Sequence, residues 1–491
     1  MTAAQFKAMP DQGPAYLIGD TWSTESDLPA MAVINPATGE RLYDVPCCGP
    51  DHVSRALEHA QQGFTVWSAT PGWQRAQVLR RIAEEIIRRR ADFGRAIATE
   101  MGRVQAMAVG EAESAAGHFI WMAGEAERLY GQAIPSRFGG DLTITPEPVG
   151  IVAAFSPWNF PLSLPARKLA PALAAGCAVI LRPSEQTPMV GSLLGECCLA
   201  AGLPAGVVQI LQGDPIGVSP ALLASDEVRK ISFTGSTRVG RLLMEQSAQT
   251  VKRVSMELGG HAPLIVCADA DIPAAARLTA RGKFMNSGQV CGSPSRFLLH
   301  ESIAAEFTEV FLEEALALRL GDPMDPATTM GPLASPAQLD KLETLVADAV
   351  RRGAVLRLGG GRAKDQARGF FFEPTVLEDV PEDARIMREE PFGPVAPLAT
   401  FTDLGDAIRR ANDTEYGLAA YAFTRSAATA RRLSAELQSG MVGINNFMLA
   451  HAEAPFSGVK HSGIGIEGGQ MAIREYLNFK TTHTVLEVPA A

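Results

Sequence analysis

Apolar residues recur at helical spacing from Asp51 to about Glu127, as in Val78, Leu79, Ile82, Ile86 and Ile87, and predict a run of amphipathic helices. The preceding residues, 1–48, carry short apolar stretches broken by the turn Asn35-Pro36-Ala37-Thr38-Gly39, which predicts a strand-rich start. Asp141 to Thr145 alternates polar and apolar residues, the pattern of a strand with one wet face. From Val149 the period changes to strand, turn, helix. Short apolar runs at 150–155, 177–181, 207–211 and 230–233 each end on proline, glycine or a polar residue, and helical stretches lie between them. After Gly260 the alternation restarts, with predicted strands at 264–266, 297–299, 354–358, 394–401, 418–423 and 441–444. Such alternation predicts two α/β units built on parallel sheets with helices on both faces. The tail from Tyr476 to Val488 reads as an extended strand that could pair with the early alternating segment, outside both main sheets. There is no internal repeat and no low-complexity linker.

Composition narrows the function classes. With 491 residues, 46% hydrophobic and 20% charged, the chain is long enough for two or three ordinary globular domains. A net charge of −10 excludes a nucleic-acid surface, which needs concentrated Lys and Arg. The Arg88-Arg89-Arg90 run is expected on the solvated face of its helix. Seven cysteines, at 47, 48, 177, 197, 198, 267 and 291, form no CxxC spacing and are odd in number. They argue against a disulfide framework or a metal site and for a reducing, cytoplasmic compartment. The first residues lack an apolar signal core, and no run approaches the ~18 apolar residues of a membrane span.

Chemistry concentrates in a few stretches. Cys291 sits among Ser287, Gly288, Gln289, Gly292 and Ser293, small or polar neighbours unlike those of an inert buried thiol. Glu257, between Met256 and Leu258, is a candidate base if partly desolvated. Asn159, in the proline-bracketed turn Ser156-Pro-Trp-Asn-Phe-Pro161, can aim an amide N–H at a developing oxyanion. No GxGxxG follows a strand, but Phe233-Thr-Gly-Ser-Thr-Arg-Val-Gly240 leads from a strand into a helix. Its free backbone N–H groups, with Ser236, could hold a pyrophosphate. Glu185, after Arg182-Pro183-Ser184, could accept from both hydroxyls of a ribose. Each has an ordinary alternative: a salt-bridged strand-end glutamate, a self-satisfied Asx-turn, a helix cap, a surface ion pair.

Together the motifs SPWNFP (156–161), FTGST (233–237), ELGG (257–260), GQVC (288–291) and EEPFGPV (389–395) resemble, in order, those of the NAD(P)-dependent aldehyde dehydrogenase superfamily. The resemblance implies the α/β fold of that family. Its Rossmann-like cofactor domain would span 1–127 and 147–257, its catalytic domain 258–470, and its small β oligomerisation arm 128–146 and 471–491. It implies a homodimer or homotetramer. It also implies Cys291 as nucleophile, Glu257 as base, Asn159 with the Cys291 N–H as oxyanion hole, and Lys168 in the active-site region. NAD, with NADP possible, would lie against Ser156, Trp158, Arg182, Ser184, Glu185, Gly235, Ser236, Val239, Leu258, Glu390 and Phe392. Arg182 stands where the family usually has lysine, and Glu185 matches NAD-preferring members. The expected reaction oxidises an aldehyde to a carboxylic acid through a Cys291 thiohemiacetal and thioester. A thiol-dependent esterase and a non-catalytic nucleotide-binding protein are the readings from other classes.

Locally, residues 411–421 and 454–460 are most similar to bacterial succinic-semialdehyde-type members. Arg167 stands where those enzymes hold the substrate carboxylate, and the resemblance places Phe160, Met285, His451 and Phe456 in the same pocket. Met285 replaces a second carboxylate-binding arginine, Ser293 replaces a cysteine of some relatives, and His261 and Ile466 also stand in place of more usual family residues. An aldehyde with a remote anionic group is the first expectation and an aromatic aldehyde the second.

Overall fold

Four of the expected apolar runs, with the unforeseen strand Arg253–Glu257, become neighbouring parallel strands in the computed structural model, which describes residues 13–486. Across the sheet they run Arg253–Glu257, Val228–Thr234, Ile151–Phe155, Ala178–Arg182 and Val208–Ile210. Tyr16–Ile18 with Thr21–Ser23 on one edge, and Gly463–Ile464 on the other, add antiparallel strands that the simple parallel expectation lacked. Every residue of Ile151–Phe155 and Ala178–Arg182 is buried, which is why these runs are continuously apolar rather than alternating. The parallel part of this sheet starts at its centre with 151–155, winds out through 178–182 and 208–210, and crosses back to lay 228–234 on the other side. The strand order therefore reverses between Ile151–Phe155 and Val228–Thr234, and the crevice outside their carboxyl ends is where such sheets bind ligands.

The helix Ser163–Ala175 follows the central strand and is buried at every position. Its alanines permit close packing, and Gly176 ends it in a left-handed conformation, φ +98°. Successive helical residues point about 100° apart, so Arg167 and Lys168 leave this helix in different directions.

The second sheet runs Val355–Leu358, Thr375–Glu378, Val395–Phe401, Pro294–His300, Ala262–Val266, Ala419–Phe423 and Met441–Ile444, parallel except at its first pair. The chain passes from the carboxyl edge of the first sheet to the amino edge of the second through residues 258–261. A third sheet pairs the tail Leu477–Thr484 with Asp141–Pro148, Leu477 opposite Pro148 and Thr484 opposite Asp141, and adds Gln132–Pro135. The expected wet-and-dry alternation is absent here: Leu142 and Ile144 are only half-buried and Phe479 is 54% exposed.

Arg88 and Arg90 are solvated as expected, but Arg89 is not. It lies at the junction of the helices Gly72–Arg88 and Arg90–Met101, buried against Glu196 and Asp92. Among the described residues no helix is long and apolar enough to cross a membrane. The absence of a signal core in the first residues, and the last residues of the tail strand, lie outside the described residues.

Candidate active site

The loop bearing Cys291 is held by its neighbours in a conformation it would not adopt alone. After the helix Ile272–Phe284, both Asn286 and Ser287 take φ +54°, unusual for residues other than glycine. The Asn286 amide donates to the carbonyls of Asn159 and Gln289, each at 3.2 Å, and Ser287 Oγ donates to Gly331 O at 2.7 Å. Gly288 has φ +72°, and a Cβ there would lie 2.1 Å from the carbonyl oxygen of Gly393. Glycine at 288 thus lets the Cys291 loop close on the loop that carries Glu390.

Cys291 opens on a cavity of about 450 Å³. Phe160, Arg167, Met285 and Phe456 line it, as the sequence suggests, with Tyr421, Phe447 and Met448 among the others. His451 does not. Its ring turns outward, with Nε2 3.0 Å from the Met448 carbonyl, and it stays half-exposed. Burial and the nearby Glu390 and Glu257 push the Cys291 thiol up to about 12, although Arg167 and the Gly292 N–H act the other way.

Asn159 and Glu257 are buried and do not themselves line this cavity. Asn159 Nδ2 donates to Gln289 O at 3.1 Å, which leaves its second N–H without a partner among the described residues. Both carboxylate oxygens of Glu257 are buried with no hydrogen-bond partner among the described residues. Burial and then Glu467 raise its pKa well above the ordinary range, while Lys168 and Arg167 oppose the rise. Lys168 is fully buried and committed elsewhere: its ammonium pairs with Glu467 and donates to Thr234 Oγ1 at 2.7 Å and Ser232 Oγ at 3.3 Å. It acts on Glu257 as a nearby charge rather than as a hydrogen-bond partner.

The residues expected to hold a dinucleotide fall along the carboxyl ends of adjacent strands, because Thr234 pairs with Glu257 and Phe155 with both Phe233 and Arg182. Ser156, Arg182, Gly235 and Leu258 are therefore brought into one row beside the reversal of strand order. Ser236 caps the helix Thr237–Ala248 by accepting from Val239 N at 3.3 Å, at an exposed helix terminus. Ser184 Oγ accepts from Gln186 N at 3.2 Å, a local turn contact. Arg182 Nη2 donates to Glu185 at 2.6 Å and to Gly213 O at 2.8 Å. Glu390 accepts from Gly260 N at 3.4 Å, and burial pushes it up to about 7 against the charge of Lys341. Trp158 meets Phe392 edge to face at 5.7 Å, joining the SPWN turn to the Glu390 loop. The Ser156 hydroxyl is buried without a partner among the described residues. With the open helix N-terminus and paired carboxylate–guanidinium edge, this row fits a ribose–phosphate ligand.

The aldehyde dehydrogenase family model matches residues 22–482. The chain belongs to the aldehyde dehydrogenase family. It is 43% identical over 466 residues to the mitochondrial succinate-semialdehyde dehydrogenase of Arabidopsis thaliana, covering 94% of this chain and 88% of that one. To the NADP(+) succinate-semialdehyde dehydrogenase of Escherichia coli it is 40% identical, covering 94% and 96%. The crystal structure of succinate-semialdehyde dehydrogenase from Burkholderia pseudomallei superposes with a TM-score of 0.94 at 40% identity, over 97% and 99% of the two chains.

The structure adds residues to this dehydrogenase site that sequence reasoning missed. Arg103 is buried and donates Nε to Asn286 Oδ1 at 3.0 Å, with its other nitrogens on Glu111 and the Asn159 carbonyl. Its guanidinium lies 4.1 Å from the centre of the Phe160 ring. Glu111 in turn accepts from Leu162 N at 2.9 Å and Ser163 N at 2.8 Å, at the start of the buried helix. One ion pair thus ties the Asn159 turn, the Asn286 turn and the helix bearing Arg167 together. His261 is also accounted for: Nδ1 lies 2.8 Å from Ser295 Oγ, and its carbonyl accepts from Arg296 at 3.0 Å. Nothing in the structure explains Ile466.

Proposed function

We propose that this dehydrogenase oxidises an aldehyde bearing a remote anionic group to the carboxylic acid, with NAD(P) as hydride acceptor. Arg167 carries the reading. It is 5% exposed, lines the Cys291 cavity, and has no carboxylate partner among the described residues. A buried unpaired cation is costly unless an anion arrives to meet it. The three named relatives are succinate-semialdehyde dehydrogenases, for a semialdehyde whose carboxylate lies away from the aldehyde, in keeping with this role.

In this reading Cys291 attacks the aldehyde carbon, and the oxyanion takes hydrogen bonds from the free N–H of Asn159 and the Cys291 backbone. Glu257 activates the water that releases the acid, with Lys168 and Glu467 setting its charge. Arg103, Glu111 and Asn286 hold the turns in place. Glu185 and Arg182 bind the adenosine ribose, Glu390 the second ribose, and the Ser236 terminus the phosphates. The first sheet then serves as the nucleotide domain, the second as the catalytic domain, and the exposed three-stranded sheet as the surface of a homo-oligomer. Its apolar Ile134, Phe138 and Phe479 are exposed and suit burial against a second copy. Seven unpaired cysteines suit a reducing compartment such as the cytoplasm.

The deciding experiment compares succinic semialdehyde with butanal, an uncharged aldehyde of equal length. Arg167→Leu should lower kcat/KM for the semialdehyde by roughly one to two orders of magnitude, the worth of a charge-assisted hydrogen bond, and affect butanal much less. Equal losses on both would make Arg167 structural and leave the aromatic-aldehyde reading ahead. For the nucleotide, Glu185→Ser removes repulsion of a 2′-phosphate and frees Arg182 to face it. The ratio of kcat/KM for NAD over NADP should fall by about tenfold or more. A parent enzyme that already favours NADP, or an unmoved ratio, would take Glu185 out of cofactor choice.

A further inference from the structure

The guanidinium of Arg167 is mounted in an unusual way. Its Nε donates to Nε2 of His118 at 3.1 Å, and its Cζ lies 4.3 Å from the centre of the Phe456 ring. The two terminal Nη groups have no hydrogen-bond partner among the described residues. His118 belongs to the helix Gln105–Glu127, where Met107, Glu111 and Ser114 share one stripe and line the cavity. One turn further along that stripe, His118 is 3% exposed and does not line the cavity itself.

An arginine Nε can only donate, so Nε2 of His118 must carry its lone pair, with the ring proton on Nδ1. Burial and the adjacent Arg167 charge push the imidazole down to about 3, which keeps it a neutral acceptor through the working pH range. The distinction from an ordinary ion pair matters. An Asp or Glu at this position would hold the guanidinium as firmly, but it would neutralise the charge and compete with an incoming anion. A neutral acceptor fixes one edge and an aromatic ring supports one face, while the full charge and both Nη donors remain for a ligand. A long side chain that is otherwise free in its rotamers is thereby pre-organised.

We infer that His118 is the positioning residue of this anion receptor, holding Arg167 through Nε without neutralising it, so that preference for a negatively charged aldehyde is set by the His118–Arg167 pair. The inference rests on the reading that Arg167 meets the anionic group of the substrate.

The test is a double-mutant cycle with succinic semialdehyde and butanal at saturating NAD. His118→Phe should lower kcat/KM for the semialdehyde about tenfold, chiefly through KM, with a much smaller change on butanal. His118→Gln keeps a neutral acceptor oxygen and should recover most of the loss. In an Arg167→Leu background, His118→Phe should cost little more, since the group it positions is gone. NAD affinity, measured by titration, reports that each variant is folded, and the Gln variant carries the test if the Phe variant fails that control. If Arg167→Leu is selective while the His118 variants lose equally on both aldehydes, or if the two losses add in the double variant, His118 is structural and the inference is overturned. If Arg167→Leu is itself unselective, the proposed substrate class falls first, a result the single variant shows separately.

Discussion

Cys291→Ala is expected to abolish aldehyde oxidation, with a loss on the order of 10⁴–10⁶ in kcat, as when a covalent nucleophile is deleted from a set of cooperating groups. Nucleotide affinity should be unchanged, because the row of strand ends from Ser156 to Leu258 is built on the other sheet. The free thiol is also expected to be quiet. With its pKa pushed to about 12 by burial and Glu390, roughly one part in 10⁵ is thiolate at pH 7. Alkylation of Cys291 by iodoacetamide in the nucleotide-free enzyme should therefore quicken about tenfold per pH unit from 7 to 10. A raised thiol pKa loses reactivity as pH falls, so the sign is unambiguous. Arg167→Leu removes a charge that lowers this pKa and should slow alkylation further at any given pH. An active Cys291→Ala protein would end the nucleophile assignment, and an alkylation rate already flat below pH 8 would end the protonated-thiol account.

What the sequence made legible was whatever depends on short spacings. The apolar runs at 150–155, 177–181 and 230–233 declared themselves because strands buried on both faces are continuously apolar. The motif glycines were readable because positions such as Gly288 admit no side chain. Pairings distant in sequence were not. Lys168 and Glu467 are 299 residues apart, and Arg103 meets Asn286 across 183, so no local pattern links them. His118 looked like one polar residue in an alanine-rich helix. A hint existed in the stripe Met107, Glu111, Ser114, His118, spaced to face one wall. Arg89 misled the reading in the opposite direction, since a basic run says nothing of the helix break that turns its middle member inward. His451 misled it as well: the family resemblance that placed it beside Phe456 did not carry its ring into the cavity. The strand Asp141–Pro148 alternates in sequence, yet its Leu142 and Ile144 are only half-buried, so here too the pattern and the burial part company.

Glu257→Gln separates the two halves of the reaction. Among the described residues Glu257 is the only carboxylate whose two oxygens are both buried without a hydrogen-bond partner, which marks a group held for a reaction rather than for stability. Its backbone is pinned on both sides: its carbonyl accepts from Gly235 N at 3.0 Å, and Leu258 N donates to Ser462 O at 2.8 Å. The point from which the carboxyl projects is therefore fixed. Glutamine keeps the shape and loses the base, and removal of a general base costs about 10²–10⁴ in the step it serves. That step is the release of the acyl group, which an activated ester tests without nucleotide. With p-nitrophenyl acetate the variant should release one equivalent of nitrophenol per Cys291 and then stall, and mass spectrometry should find acetyl on Cys291. In the parent enzyme, deacylation should rise with pH through the raised pKa of Glu257, because the charged form is the active one, and level off above it. The Gln variant should lack that limb. If it shows neither burst nor adduct, and acylation slows as much as turnover, then Glu257 takes the proton of Cys291 instead, and the base belongs to the first half of the reaction.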